Sequence, residues 1–133
     1  MRWLSTLSVV IAVTLAGCPA GANTGESGRV ILLGARWCAP CMAEYRALGE
    51  LVKAAEPDRL VLAWIDAPLP VPPALRGQLD VMPPEQARAL ALAAGGAGFG
   101  LPMAVRMPAT GGQCRVWRAP LHPRQMPALK GLC

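Results

Sequence analysis

With 133 residues the chain is long enough for one compact domain and too short for two. Thirteen Lys and Arg against eight Asp and Glu give a formal charge of +5. Lys53 and Lys130 are the only lysines, and the arginines are scattered along the chain and not gathered into a stripe, which argues for a solvated surface and against a nucleic-acid partner.

The first segment stands apart in character. Met1 and Arg2 give a short positive end, and WLSTLSVVIAVTLA (Trp3 to Ala16) is an uncharged apolar run. It falls short of the roughly 20 residues that a spanning helix needs, so it reads as a secretory signal over residues 1–17. The run closes in LAGC, which resembles the lipobox of bacterial lipoproteins. That resemblance implies cleavage before Cys18, lipidation of Cys18, and a membrane anchor made of acyl chains. PAGANTGESG, small and polar, is then expected to act as a flexible tether, so that residues 18–28 link the anchor to a domain over residues 29–133. The positive mean hydropathy of the chain owes much to the signal. The expected location is the periplasm, on either membrane, where disulfides persist.

Within the domain, RVILLGA (29–35) is a continuous apolar run with β-branched residues and predicts a buried, central, parallel strand. CAPCMAEYRALGELVKAAE (38–56) places Met42, Tyr45, Leu48, Leu51, Val52 and Ala55 at helical spacing, with Pro40 in the first turn, where its missing N–H costs nothing. Pro57 and Asp58 end that helix. RLVLAWIDA (59–67) predicts a second buried strand, which completes a βαβ unit. The proline-rich stretch 67–84 predicts mostly loop. PEQARALALAA (84–94) predicts a helix stopped by GGAGFG, and LPMAVRM (101–107) a third strand. CRVWRAP (114–120) predicts a fourth strand, paired with the third as a hairpin. HPRQMPALKGLC (122–133) predicts a last helix, shortened or distorted by Pro127.

The chemistry centres on WCAPC. Cys38 and Cys41 lie three residues apart at the turn from first strand to helix. Unpaired N–H groups and the helix dipole favour a negative charge there, so a thiolate at Cys38 is stabilised and its pKa falls below the free value of about 8.5. Cys38 is the candidate nucleophile and Cys41 the resolving thiol, exchanging through a mixed disulfide with a substrate cysteine. Zinc would need two more ligands from Cys114, His122 or Cys133, and their spacing forms no second knuckle, so no metal is expected. His122 alone reads as a surface residue at a helix start.

WCAPC after a buried strand, followed by this element order and by an X-Pro at the next strand, resembles the thioredoxin-like superfamily. The signal and lipobox fit its extracytoplasmic, membrane-tethered branch of TlpA-like and ResA-like proteins. The resemblance covers residues 29–133 and lacks the first strand and helix of full-length thioredoxins. It implies an α/β fold, a mixed four-stranded central sheet flanked by helices in the order βαβ-α-ββα. It also implies that Trp37 and Pro40 shape the docking face, and that Pro102 is the cis-proline facing the cysteines. Leu101 would then pair its backbone with an extended substrate. Gly95, Gly96, Gly98 and Gly100 would form either a rim to that site or a plain helix stop.

Thioredoxins carry a buried Asp and a facing Lys near the cysteines, and here those positions are Leu32 and Trp64, an apolar replacement of the whole pair. Glu44 and Asp66 are the nearby carboxylates and read more simply as surface or strand-end charges than as proton acceptors. Trp64 and Trp117 read as core.

For Cys114 and Cys133 the reading is a structural disulfide that pins the last helix to the sheet, with two free thiols or a second redox pair as alternatives. The expected activity is that of a thiol–disulfide oxidoreductase. Ala39-Pro40 between the cysteines resembles the reducing members, so the direction expected is reduction of extracytoplasmic protein disulfides. A membrane thiol carrier would resupply electrons, no cofactor is needed beyond the Cys38–Cys41 disulfide, and the protein is expected to be a monomer. The competing reading is a lipid-anchored binding module without turnover, such as a copper chaperone, with Met42 or Met103 as an added ligand.

Overall fold

The computed structural model describes residues 27–133; the expected signal, Cys18 and residues 19–26 of the tether lie outside the described residues. The central strand β1 (Arg29–Gly34) is buried along all but its first residue, as its unbroken apolar run requires. It pairs in parallel with β2 (Arg59–Trp64) and antiparallel with β4 (Met103–Met107). Ile31 lies opposite Val61 on one side and Val105 on the other. The result is an α/β fold with an open, mixed, four-stranded sheet in the order β3-β2-β1-β4, compatible with a thioredoxin-like fold.

The pleat sorts the apolar residues into two layers. Val30 and Leu32 of β1, with Leu60, Leu62 and Trp64 of β2, pack under α1 (Ala39–Arg46), α2 (Leu48–Ala55) and α4 (Met126–Lys130). Ile31 and Leu33, with Val61, Ala63, Met103 and Val105, face α3 (Pro84–Gly95), which offers the small Ala87 and Ala91 to the sheet.

Three elements differ from the sequence expectation. The strand expected at the third position of the chain is preceded by another. β3 (Leu79–Met82) arises inside the stretch expected to be mostly loop and pairs in parallel with β2 at the sheet edge. Only Leu79 of its four residues is buried, so it carries no apolar run to reveal it. Asp80 bridges Arg59 at 3.0 Å, which puts a charge on an edge that would otherwise invite pairing.

Conversely, 114–120 is not a strand. Trp117 and Ala104 exchange both backbone hydrogen bonds at 2.9 Å, but the amide that donates to the Arg106 carbonyl is that of Cys114, one residue out of register. The Arg115 amide, which would continue the ladder, donates to the Leu132 carbonyl instead. The four-stranded sheet expected from the sequence is thus present, with β3 in place of 114–120.

The helix expected over 38–56 is two helices. The Ala47 amide is shared between the Ala43 and Glu44 carbonyls, and α2 restarts with Ala47 as its N-cap. At the far end Pro127 does not interrupt a helix; it lies in the first turn of the short α4, after a single 3-10 turn at Pro123–Gln125. There its lack of an N–H is harmless.

One buried ion pair ties the sheet ends together. Asp58 accepts from the Gly28 amide at 2.9 Å and from Arg106 Nε at 2.7 Å. Burial opposes its ionisation, but the Arg106 guanidinium and the Gly28 N–H outweigh it and hold its pKa below the ordinary carboxylate value. This fixes the entry to β1 against β4. Cys114 and Cys133 are disulfide-bonded, with Arg106 Nη1 3.4 Å from Cys133 Sγ. Among the described residues no helix is long and apolar enough to cross a membrane.

Candidate functional site

The site is built where β1 turns into α1. Cys38 is the N-cap of α1, in extended backbone conformation, and its Sγ accepts the Cys41 amide at 3.3 Å. That amide is one of the orphan donors at a helix start, so the sulfur occupies the place a capping Ser or Asp oxygen would take. Ala39 and Pro40 fill the first two helical positions, and Pro40 has no amide to leave unsatisfied. Cys38 and Cys41 form a disulfide with Cα atoms 5.2 Å apart. Cys38 is 4% and Cys41 2% exposed, while Trp37 beside them stands 72% exposed.

Gly34 ends β1 directly beneath the pair. A Cβ there would lie 3.1 Å from Cys41 Cβ and 3.4 Å from its Sγ, so the close approach of sheet backbone to disulfide depends on the absence of a side chain. The preceding loop is held from the bend after β2: Asp66 Oδ2 accepts the Arg36 amide at 2.8 Å, one residue before Trp37.

The Leu101–Pro102 peptide is cis and precedes β4. A groove of about 350 Å³ is lined by Pro40 together with Gly100, Leu101 and Pro102 and with Arg118, Ala119 and Pro120. Trp37, Pro40, Leu101 and Pro102, singled out as docking residues, thus stand at one end of the sheet with the cysteines. Gly100 alone of the four glycines lines the groove; Gly95 packs on Phe99 and Met103, and an added Cβ would collide with Phe99 Cβ.

Glu44 is the residue that sequence reasoning placed wrongly. It is buried, not a surface charge. Its Oε1 accepts the Leu121 amide at 2.6 Å, a contact across 77 residues. Burial raises its pKa from 4.5 to about 7, against the lowering effect of the Leu121 N–H. Glu44 and Cys41 line one small cavity of about 10 Å³, with Leu32, Tyr45 and Trp64 among its walls. The signal was present in the spacing: residues three apart on a helix share a face, so a buried Cys41 carries Glu44 inward with it. The apolar Leu32 and Trp64 therefore surround a carboxylate after all, supplied by the helix and not by the sheet. Trp64 stacks edge-on to Tyr45 at 6.1 Å between ring centroids, and its indole Nε1 is buried without a hydrogen-bond partner. Trp117, half-buried, shares that lack of a partner at Nε1.

The other candidates fall elsewhere. Met103 is buried against α3, on the opposite face of the sheet from the cysteines, and Met42 packs at the margin of the cysteine-side core. His122 starts the 3-10 turn before α4, where it caps in partnership with Gln125. Cys114 and Cys133, two of the three residues from which zinc would have to draw, are bonded to each other. Among the described residues no three His, Cys, Asp or Glu side chains gather as a metal-binding group.

No family model matches the sequence, and no curated protein matches it. The fold and the site define the class: an α/β protein with a mixed four-stranded open sheet and a disulfide-forming Cys-x-x-Cys pair at a helix start, an arrangement compatible with redox chemistry.

Proposed function

We propose that the chain is a thiol–disulfide oxidoreductase that reduces disulfides of extracytoplasmic proteins. The observation that carries this reading is the capping geometry of Cys38, whose sulfur accepts the Cys41 amide at the start of α1 and is bonded to Cys41 Sγ.

In the reduced form the Cys38 thiolate attacks one sulfur of a client disulfide. A Cys38–client bond forms, the client S–S bond breaks, and the released client thiolate takes a proton from solvent. Glu44, with its carboxyl balanced near neutrality, accepts the Cys41 proton. The Cys41 thiolate then attacks Cys38 Sγ and expels the second client thiolate, which is protonated in turn. Two electrons pass from the pair to the client, and the Cys38–Cys41 disulfide remains. A dithiol carrier in the membrane resets it by the same exchange in reverse.

Trp37 and Pro40 supply the docking face, and Leu101 the backbone for an extended client, beside the cis Pro102. Among the described residues the Leu101 amide and carbonyl engage in no intrachain hydrogen bond, which leaves both for such pairing. Lipidation at Cys18 would hold a monomer at the membrane surface, with 29–133 as the working domain.

The test is turnover. Purified protein with excess dithiothreitol and a two-chain model disulfide should release the reduced chains catalytically, at rates well above dithiothreitol alone. A stoichiometric, stable Cu(I) complex on Cys38 and Cys41 without turnover would favour the binding module instead.

A further inference from the structure

Among the described residues the groove beside the cysteines is lined by a single charged side chain, and that side chain is cationic, held by one hydrogen bond and in no ion pair. We propose that this groove selects client segments that carry a carboxylate side chain next to the reactive cysteine, with Arg118 as the specificity-determining residue. The proposal rests on the oxidoreductase reading and names its substrate class.

Arg118 lines the groove together with Pro40, one of the two residues between the cysteines. The remaining lining, Gly100 to Pro102 with Ala119 and Pro120, is uncharged. Arg118 Nη2 donates to the Ala94 carbonyl at 3.2 Å. Ala94 lies in the last turn of α3, where carbonyls lack intrahelical partners, so the bond satisfies an orphan acceptor and orients the guanidinium. A guanidinium has five N–H donors in a planar fork, and this bond uses one. The two ion pairs among the described residues, Arg59–Asp80 and Arg106–Asp58, do not involve Arg118. The head is therefore partly immobilised before binding while most of its donors face solvent, which lowers the entropy lost on meeting a carboxylate.

Near the cysteines along the chain stands Arg36, exposed immediately before Trp37, and bonded to its amide is the carboxylate Asp66. Arg88 donates to the Ile65 carbonyl, one residue from Asp66. Glu44, the carboxylate nearest the cysteines along the chain, is buried and its oxygen is occupied by the Leu121 amide. An extended client that pairs with the Leu101 backbone runs along the groove wall, so the side chain beside its cysteine comes within the field of Arg118. A Glu or Asp there gains a charge-assisted contact, and a Lys meets the like charge of Arg118.

The experiment compares three otherwise identical disulfide-linked model peptides, with Glu, Gln or Lys beside the cysteine, reduced by the full chain in excess dithiothreitol. The expected order of kcat/KM is Glu above Gln above Lys, with Glu over Gln by roughly five- to tenfold, carried mainly by KM. Arg118→Gln should collapse the Glu-to-Gln ratio to about one, and Arg118→Glu should invert the order of the Glu and Lys peptides. Arg76→Gln, which removes the same charge from an exposed position that does not line the groove, should preserve the wild-type ratio. Equal reduction of the three peptides by the wild type, or a Glu preference that survives Arg118→Gln, overturns the selectivity and leaves the oxidoreductase reading standing. Absence of turnover with all three peptides overturns that reading and the proposal together.

Discussion

Cys38→Ser should abolish turnover, by a factor on the order of a thousand or more, while Cys41→Ser should stop the cycle halfway and leave the client attached. The two cysteines are not equivalent in the structure. Cys38 Sγ sits at the helix cap and receives the Cys41 amide, which stabilises charge on that sulfur before any other. Cys41 lies inside, against Gly34 and the cavity it shares with Glu44. A serine hydroxyl at position 38 can occupy the cap but cannot form the mixed disulfide, so no first step occurs. A serine at 41 leaves the first step intact and removes the group that resolves it. The check is mass spectrometry of each variant after incubation with the model disulfide. Cys41→Ser should carry one peptide per chain on Cys38, released by added dithiothreitol; Cys38→Ser should carry none. Turnover by Cys38→Ser, or equal adducts on both variants, would contradict the assigned roles.

Glu44→Gln should raise stability above neutral pH and slow the resolving step. The sign follows from the raised pKa. Folded Glu44 titrates near 7, against an ordinary 4.5, so between these values the folded chain holds a proton that the unfolded chain has released. Stability from this group is therefore complete below about pH 4.5 and is lost as pH rises through 7, by about 3 kcal/mol in all. Glutamine cannot ionise, and its amide oxygen can still accept the Leu121 N–H. Chemical denaturation across pH 4.5 to 8.5 should show the wild-type decline largely flattened in Glu44→Gln, with the variant more stable at pH 8. The same variant should resolve the mixed disulfide roughly a hundredfold more slowly at pH 7, because Cys41 loses its proton acceptor. An unchanged pH profile of stability would mean that the carboxylate is solvated. An unchanged resolving rate would mean that water takes the proton directly.

The parts of this architecture that were legible in the sequence are those where one local signal decides the structure. β1 and β2 are continuous apolar runs, and a run buried on both faces has no other place than the middle of a sheet. WCAPC announces a helix start through Pro40, and the structure places Cys38 at that cap. The elements that were not legible depend on distant partners. β3 has one buried residue in four, and it is a strand because β2 offers an edge and Arg59 offers Asp80 a charge. The segment 114–120 has the alternation of a strand but loses its ladder when the Arg115 amide goes to Leu132, a contact made by the chain's last segment.

Glu44 was hidden for a related reason. A charged residue on a helix with a solvent face defaults to that face, and only the Leu121 amide, arriving from 77 residues away, makes burial tolerable. Arg118 was similarly lost among scattered arginines, because its meaning comes from the Ala94 carbonyl and the groove it lines.

The most direct measurement is the titration of the Cys38 thiol in the reduced protein, followed by thiolate absorbance and by the pH dependence of its alkylation, with Cys41→Ser isolating it. The account predicts a pKa well below the free-cysteine value of about 8.5. A value at or above 8.5 would mean that the helix cap does not activate this sulfur, and would contradict the proposed chemistry at its first step.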